Sequence, residues 1–185
     1  MAYDSGKTRE KLLDAASAEF TEHGLSGARV DRIAVAAGVN KQAIYAYFGS
    51  KEALFDAVLD LSLAHLTATI PITSYDLPGY AVALFDYLCA HPEYERLTMW
   101  KRLERADASP EEVEHYRRKL AQIAPAAGHA PIDVLLLILG MAHAWGNSAP
   151  ALRALDGDAV SVSDQQARYR AALQKAARAA VEALR

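Results

Sequence analysis

Apolar residues recur every three to four positions along most of the chain, which is the period of amphipathic helices. The first such stretch spans residues 8–24 and places Leu12, Ala16 and Phe20 on one face, with Gly24 as its end. No stretch shows the alternation of apolar and polar residues that marks a half-buried strand. The pattern therefore predicts an all-α protein.

A helix, a tight turn and a second short helix follow between residues 30 and 48. The apolar positions of 30–37 have helical spacing, and Gly38 supplies the left-handed residue that ends a helix. Asn40 is a good N-cap for the next helix, whose Ile44 and Phe48 face inward. This order of elements predicts a helix-turn-helix.

The remaining chain reads as a series of longer helices. Ser50 is the N-cap of a helix predicted to reach Ile70, and prolines and a glycine mark residues 71–79 as a loop. Residues 1–6 have no hydrophobic period and are predicted to be a frayed arm. Five further helices are predicted at 80–91, 93–106, 110–123, 131–148 and 163–184. Together with the helix at 8–24, the two helices of the helix-turn-helix and the helix from Ser50, about nine helices are expected in total.

Composition narrows the class of protein. Of 185 residues, 52% are hydrophobic, which is enough for a substantial core, and the single cysteine, Cys89, excludes an internal disulfide. The chain therefore fits a reducing compartment, and we predict a cytoplasmic location. We expect no signal peptide before Thr8, and the most apolar run, 132–145, is too short to span a bilayer.

The net charge of −3 does not by itself indicate a nucleic-acid binder, because such domains are usually basic on one face. Phosphates respond to local charge, however, and Arg29, Lys41 and Lys51 all lie in or beside the helix-turn-helix. The weak positive charge implies that one copy binds DNA weakly.

Three segments of the chain resemble the TetR family of bacterial transcriptional regulators. They are TREKLLDAASAEFTEHG (8–24), VDRIAVAAGVNKQAIYAYF (30–48) and GSKEALF (49–55). The resemblance covers roughly the first third, and no family motif is evident beyond about residue 60. It implies a DNA-binding domain of three helices in residues 1–50 and a helical ligand-binding and dimerisation domain in residues 51–185.

The helix-turn-helix supplies candidate DNA contacts. Gln42 and Ala43 lie in the first turn of the second helix, where glutamine can bond an adenine edge and an alanine methyl can contact a thymine methyl. The alternative is a solvated helix face. Positions that match backbone contacts of the family are Lys41, Tyr45, Tyr47 and Lys51.

The start of the helix near Val30 departs from the family. The family usually has Ser or Thr as the cap there, whereas this chain has Ala28 and Arg29. We expect this helix to lack a side-chain cap and Arg29 to contact a phosphate in its place.

Aromatic and methionine residues in the later helices are candidates for an apolar or aromatic effector pocket, as the resemblance implies. The alternative for each is plain core. The candidates are Tyr80, Tyr87, Met99, Trp100, Leu103, Tyr116, Met141, His143 and Trp145.

Two helix faces are candidates for a two-fold dimer interface in a four-helix bundle, the arrangement that the resemblance favours; packing within one chain is the alternative. One face carries Gly140, Ala144 and Ser148, which are small and four apart. The other carries Tyr169, Leu173, Ala176, Ala180 and Leu184.

No metal site, cofactor or catalytic centre is predicted, because the histidines are scattered and no nucleophile or phosphate-loop motif is present. The helix-turn-helix and the resemblance to the TetR family together predict a ligand-responsive repressor that binds a palindromic operator as a homodimer. No enzymatic activity and no membrane partner are expected. Two alternatives remain: a helical ligand-binding protein, and an architectural DNA-binding protein without operator specificity.

Overall fold

A computed structural model describes the backbone of residues 2–105, 107–127, 131–157 and 159–184, and their side chains except those of 2–4 and 124–127. These residues form ten helices and no strand, which confirms the all-α prediction. The helices are α1 Ala2–Gly27, α2 Val30–Ala37, α3 Lys41–Phe48, α4 Lys51–Thr69, α5 Leu77–Ala90, α6 Pro92–Glu104, α7 Pro110–Ala127, α8 Pro131–Asn147, α9 Pro150–Ala154 and α10 Val162–Ala183.

The structure differs from the sequence-based prediction at two elements. α1 begins at Ala2, so the predicted frayed arm is wrong. Adding a residue to the end of an existing helix is far more favourable than starting a new helix. The helix can therefore extend back to Ala2 although residues 1–6 show no periodic apolar positions. α9, which was not predicted, is a helix of only five residues and is too short to show a helical period.

Contacts divide the chain into two compact units. The first contains Met1–His65 and Glu93–Ser109, and the second contains Leu66–Pro92 and Pro110–Arg185. This division differs from the expected boundary after residue 50. The reason is packing: Leu54, Phe55 and Val58 of α4 and Leu97 of α6 lie in the core of the first unit, to which residues 51–65 and 93–104 of these helices belong.

The core of the first unit lies where α1 to α4 and α6 meet. Phe20 of α1 and Phe55 of α4 are both fully buried, and their rings pack edge to face with centroids 5.0 Å apart. Ile33 and Ile44 bring α2 and α3 into the same cluster, and Leu97 adds α6. This core fixes the position of the two short helices.

The second unit is built on α5, which contacts both α8 and α10, while α7 packs on α8. Its buried apolar residues include Leu84, Phe85, Ile138 and Ala177. Among the described helices, none has the combination of length and apolarity needed to cross a bilayer.

Candidate nucleic-acid interface

The turn between α2 and α3 has the geometry that the sequence predicts. Gly38 has φ 66° and ψ 35°, and the N–H of Val39 donates to the carbonyl of Ala34 at 3.0 Å. The Asn40 side chain then accepts the N–H of Gln42 at 3.1 Å, which caps α3. α2 and α3 are thereby locked in a helix-turn-helix.

The outer face of α3 is polar and exposed. Ile44 is fully buried, and Gln42 and Ala46 lie on the opposite side of the helix and are exposed. The rings of Tyr45 and Tyr47 are also exposed to an extent unusual for core aromatics. Ala43 packs partly against the core, so Gln42 projects further than Ala43 does.

α2 begins without a side-chain cap from Arg29, as expected. Its first N–H group is satisfied by another helix: the carboxylate of Glu19 in α1 accepts the N–H of Arg29 at 2.8 Å and the Nε of Arg32 at 2.8 Å. Burial alone raises the pKa of Glu19, but the hydrogen bonds from Arg32 and Arg29 outweigh burial and hold this pKa below 4.5. Glu19 therefore stays ionised and anchors the helix-turn-helix to α1.

An open groove lies at the start of α2, with a volume of about 400 Å³. Three predicted DNA contacts, Arg29, Tyr45 and Lys51, meet in it. The Nζ of Lys51 donates to the carbonyl of Ala28 at 3.2 Å, which places its charge at the rim. The full lining is Ala28, Arg29, Val30, Asp31, Tyr45, Ser50, Lys51 and Glu52. Cations, a phenol hydroxyl and a helix N-terminus together can hold a phosphate.

Lys41 is already paired in the structure. Its Nζ lies 2.9 Å from the Asp31 carboxylate, and this hydrogen bond raises the pKa of Lys41 and lowers that of Asp31. A phosphate that uses Lys41 therefore competes with the Asp31 carboxylate for its charge.

The sequence analysis missed Glu19, because no motif marks it as a partner of Arg29, ten residues later. Arg9 also lies near this surface: its guanidinium is 5.3 Å from the centre of the Phe48 ring, beside Tyr47 at the end of α3.

The candidate effector residues do not form one group. Tyr80 and Tyr116 meet around Lys119, whose Nζ lies within 6.0 Å of both ring centres. Trp145 packs on Tyr169, with ring centroids 5.8 Å apart. The Tyr169 hydroxyl donates to the Met141 carbonyl, the ring of Tyr87 packs on His91, and His143 is half-buried in α8.

Met99, Trp100 and Leu103 lie on α6, which belongs to the first unit. The Trp100 indole N–H donates to the Thr21 carbonyl at 3.3 Å, and Leu103 is 70% exposed. The role of these three residues in an effector pocket stays a prediction.

The candidate dimer residues are accessible with one exception. Gly140 and Ala144 are exposed on α8, beside the exposed Leu136 and Leu137. Ala176 is also exposed, and Ser148, Tyr169, Ala180 and Leu184 are half-buried. Leu173 is 2% exposed because it packs inside its own unit, so it is not available to a partner in this structure.

Within the described ranges, no three His, Cys, Asp or Glu side chains are grouped so that they could hold a metal ion.

Comparison with known proteins gives matches over both units. Residues 12–58 match the family model described as bacterial regulatory proteins of the tetR family. Residues 76–179 match the model described as tetracyclin repressor-like, C-terminal domain.

Individual relatives agree with these matches. The HTH-type transcriptional repressor SCO4008 of Streptomyces coelicolor is 37% identical over an alignment 193 positions long, gaps included, which covers 98% of each chain. The repressor NicS of Pseudomonas putida is 35% identical over 100 residues, covering 50% of this chain and 47% of its own.

A solved structure extends the similarity to three dimensions. The transcriptional regulator SCO4942 of Streptomyces coelicolor superposes with a TM-score of 0.78 at 38% identity, covering 92% of this chain and 96% of that one. The similarity thus reaches far beyond the 55 residues that carry the family motifs, and the chain belongs to the TetR family of DNA-binding transcriptional regulators.

Proposed function

We propose that the protein is a homodimeric repressor that binds a palindromic operator and is released by a small molecule. The observation that carries this proposal is the α3 surface: an exposed Gln42 beside a groove in which Arg29, Tyr45 and Lys51 converge. Gln42 is suited to read a base edge, and the groove residues and Tyr47 are suited to hold the DNA backbone.

A single copy offers one recognition helix of eight residues, which can contact only a few base pairs. Two copies related by a two-fold axis would read two half-sites about 34 Å or slightly more apart. The proposed contact is the exposed apolar face of α8, where Leu136 is 63% exposed and Gly140 and Ala144 permit close helix approach.

α4 is the proposed connection between effector and operator, because residues of this one helix belong to both units. An effector that shifts its second half would alter the spacing of the recognition helices. Couplings of this kind are typically about 1–3 kcal/mol, or several-fold or more in operator occupancy. In this proposal the protein acts in the cytoplasm and needs no cofactor.

Operators selected from random DNA, followed by fluorescence anisotropy, test the proposal. Tyr47→Ala with Lys51→Ala should weaken binding at least tenfold, while Tyr75→Ala with Lys175→Ala, which removes the same groups from exposed positions of the second unit, should not. Operator binding that survives the first pair unchanged would show that the assigned contacts are wrong.

The same assay separates the remaining alternatives. An architectural protein would bind selected and random DNA equally, giving a specificity ratio near one. A helical ligand-binding protein would show no salt-dependent binding to any DNA.

The dimer is tested by sedimentation. Leu136→Glu places a charge on the proposed α8 interface and should yield monomers that bind the operator weakly. Leu103→Glu makes the same change at an exposed side chain of α6, and this variant should remain dimeric. A monomeric wild-type protein that binds a palindromic site tightly would contradict this part of the proposal.

A further inference from the structure

α7 buries a lysine in the second unit. Lys119 is 5% exposed, and its Nζ donates to the hydroxyl of Tyr80 at 3.0 Å. The rings of Tyr80 and Tyr116 flank the ammonium, with centres 5.6 Å and 6.0 Å from Nζ. Among the described residues, no carboxylate pairs with this charge.

His115 lies one turn earlier on the same face of α7. It is 8% exposed, and no side chain or backbone group in the described part of the chain hydrogen-bonds its buried Nε2. Burial first, and then the charges of Lys119 and Arg118, lower the pKa of His115 to about 4, against a weaker opposing effect of Glu112. The imidazole is therefore neutral near pH 7, so Nε2 is free to donate or accept one hydrogen bond.

This arrangement is costly for the folded protein. An ammonium has three N–H donors, and the described residues supply a partner, the Tyr80 hydroxyl, for one of them. A buried charge without a counter-ion and a buried polar atom without a partner each oppose folding. The next residue on this face, Ile123, is fully buried and apolar. An apolar side chain therefore packs well on this face of α7, and helix packing alone does not explain why Lys119 and His115 are there.

A ligand that pairs with both Lys119 and His115 needs a definite chemistry. A carboxylate would supply the counter-charge for Lys119 and accept its remaining hydrogens, and Nε2 of His115 is one turn away as a further donor. One cation matches one negative charge. The flanking Tyr80 and Tyr116 rings suit a flat apolar body next to that charge.

We propose that the effector is an organic acid with an apolar or aromatic body, and that Lys119, with Tyr80 and His115 beside it, binds its carboxylate. This inference rests on the proposed ligand response and narrows it. It excludes cationic effectors at this position, because Lys119 would repel them.

The test uses matched pairs of probes: benzoate, phenylacetate, 3-phenylpropionate and 1-naphthoate, each beside its neutral primary amide. Calorimetric titration of the full chain without DNA should show at least one acid binding tenfold or more tighter than its amide. Lys119→Met should abolish this preference without strengthening the amide. Arg118→Met removes a cation from the exposed neighbouring position and should leave the preference intact.

Tyr80→Phe provides a second variant, which keeps the ring and removes the hydroxyl that holds Lys119. It should reduce the acid preference severalfold while the protein stays folded by circular dichroism. The proposal is overturned if none of the four acids binds, if amides bind as well as acids, or if the preference survives in Lys119→Met.

Operator release is then measured separately, so that the two proposals can fail independently. Acids that bind but do not release the operator would contradict the ligand-response part of the proposed function and leave the carboxylate site standing. An operator that only neutral or cationic compounds release, with no acid bound, would overturn the carboxylate site and leave the repressor intact.

Discussion

The carboxylate of Glu19 and the backbone N–H of Arg29 are joined by a hydrogen bond of 2.8 Å. Arg29 is the N-cap residue of α2 and offers no side-chain cap, so a residue from α1 satisfies the start of this helix. The same carboxylate also accepts Nε of Arg32. Glu19 thus determines how the helix-turn-helix is held on α1.

Replacing this anchor should destabilise the protein. Glu19→Ala removes an acceptor from a nearly buried position and leaves the Arg29 N–H unsatisfied, at an expected cost of about 1–3 kcal/mol in the free energy of unfolding. Urea denaturation measures this cost. Glu22→Ala, at a largely exposed position of the same helix, should cost under about 0.5 kcal/mol. Equal effects of the two variants would show that Glu19 is not an anchor.

Asp31 should restrain DNA binding, because it occupies Lys41 at 2.9 Å. Asp31→Asn frees the lysine and removes a negative charge near the groove, so operator affinity should rise several-fold. The slope of log affinity against log salt should steepen by about one for the additional phosphate contact. Anisotropy titrations over a range of salt measure both.

Two controls accompany that prediction. Asp14→Asn removes the same charge from an exposed position of α1 and should leave the slope unchanged. Asp31→Asn combined with Lys41→Met should lose the gain. If the gain persists without Lys41, the ion pair is not what restrains binding.

Two glycines with positive φ should respond differently to alanine. Gly38, at φ 66° and ψ 35°, is left-handed, a conformation that costs another residue about 1–2 kcal/mol. Gly24, at φ 67° and ψ −176°, lies in a region that essentially only glycine adopts, and a Cβ there would also lie 2.8 Å from the Trp100 ring, whereas a Cβ on Gly38 meets nothing within 4 Å. Gly24→Ala should therefore cost at least about 1 kcal/mol more in urea denaturation. Equal costs would mean that neither the backbone conformation nor the Trp100 ring adds to the cost at Gly24.

Lys119→Met should stabilise the protein in the absence of effector. It replaces a buried charge that has no carboxylate partner among the described residues with an apolar side chain of similar length. Exchanging buried ionic groups for apolar ones is often stabilising, by about 1–4 kcal/mol for ion pairs, and we expect a gain in the free energy of unfolding of that order. Burial also lowers the pKa of Lys119 to about 8. Denaturation at pH 7, where the lysine is mostly charged, checks the gain. A loss of stability would mean that the ammonium contributes favourably to the fold.

Burial of His115 should make the protein acid-sensitive. Its pKa falls from 6.5 to about 4 on folding, so below pH 6.5 the unfolded chain binds a proton that the folded chain does not. Stability is therefore complete above pH 6.5 and declines towards pH 4, with about 2 kcal/mol lost between pH 7 and pH 5. The difference between wild type and His115→Phe over this range isolates the contribution. Parallel curves for the two proteins would contradict it.

Local signals in the sequence predicted the helix-turn-helix closely. Gly38 ends α2, and Asn40 caps α3. These features depend on residues within one turn of each other, so propensity and capping are sufficient to predict them. The family motifs lie in the same region, which is why the DNA-binding class could be recognised from about 55 residues.

The sequence predicted where most of the later helices lie along the chain, but it did not predict which helices they pack against. Trp100 fits an aromatic pocket by its spacing, yet it packs on Thr21, 79 residues earlier in the chain. Leu173 fits an exposed stripe, yet its side chain is buried inside the second unit. Helical periodicity indicates which face of a helix is apolar and contains no information about what covers that face.

The sequence by itself determined the helical class, the turn at Gly38 and the exposed α3 with its Gln42. Only the tertiary structure decided that Glu19 anchors Arg29, that α6 joins the first unit and that Lys119 is buried with no carboxylate partner within the described ranges. The physical reason is range. Helix formation depends on hydrogen bonds four residues apart, whereas the environment of a charge depends on side chains brought together from distant parts of the chain.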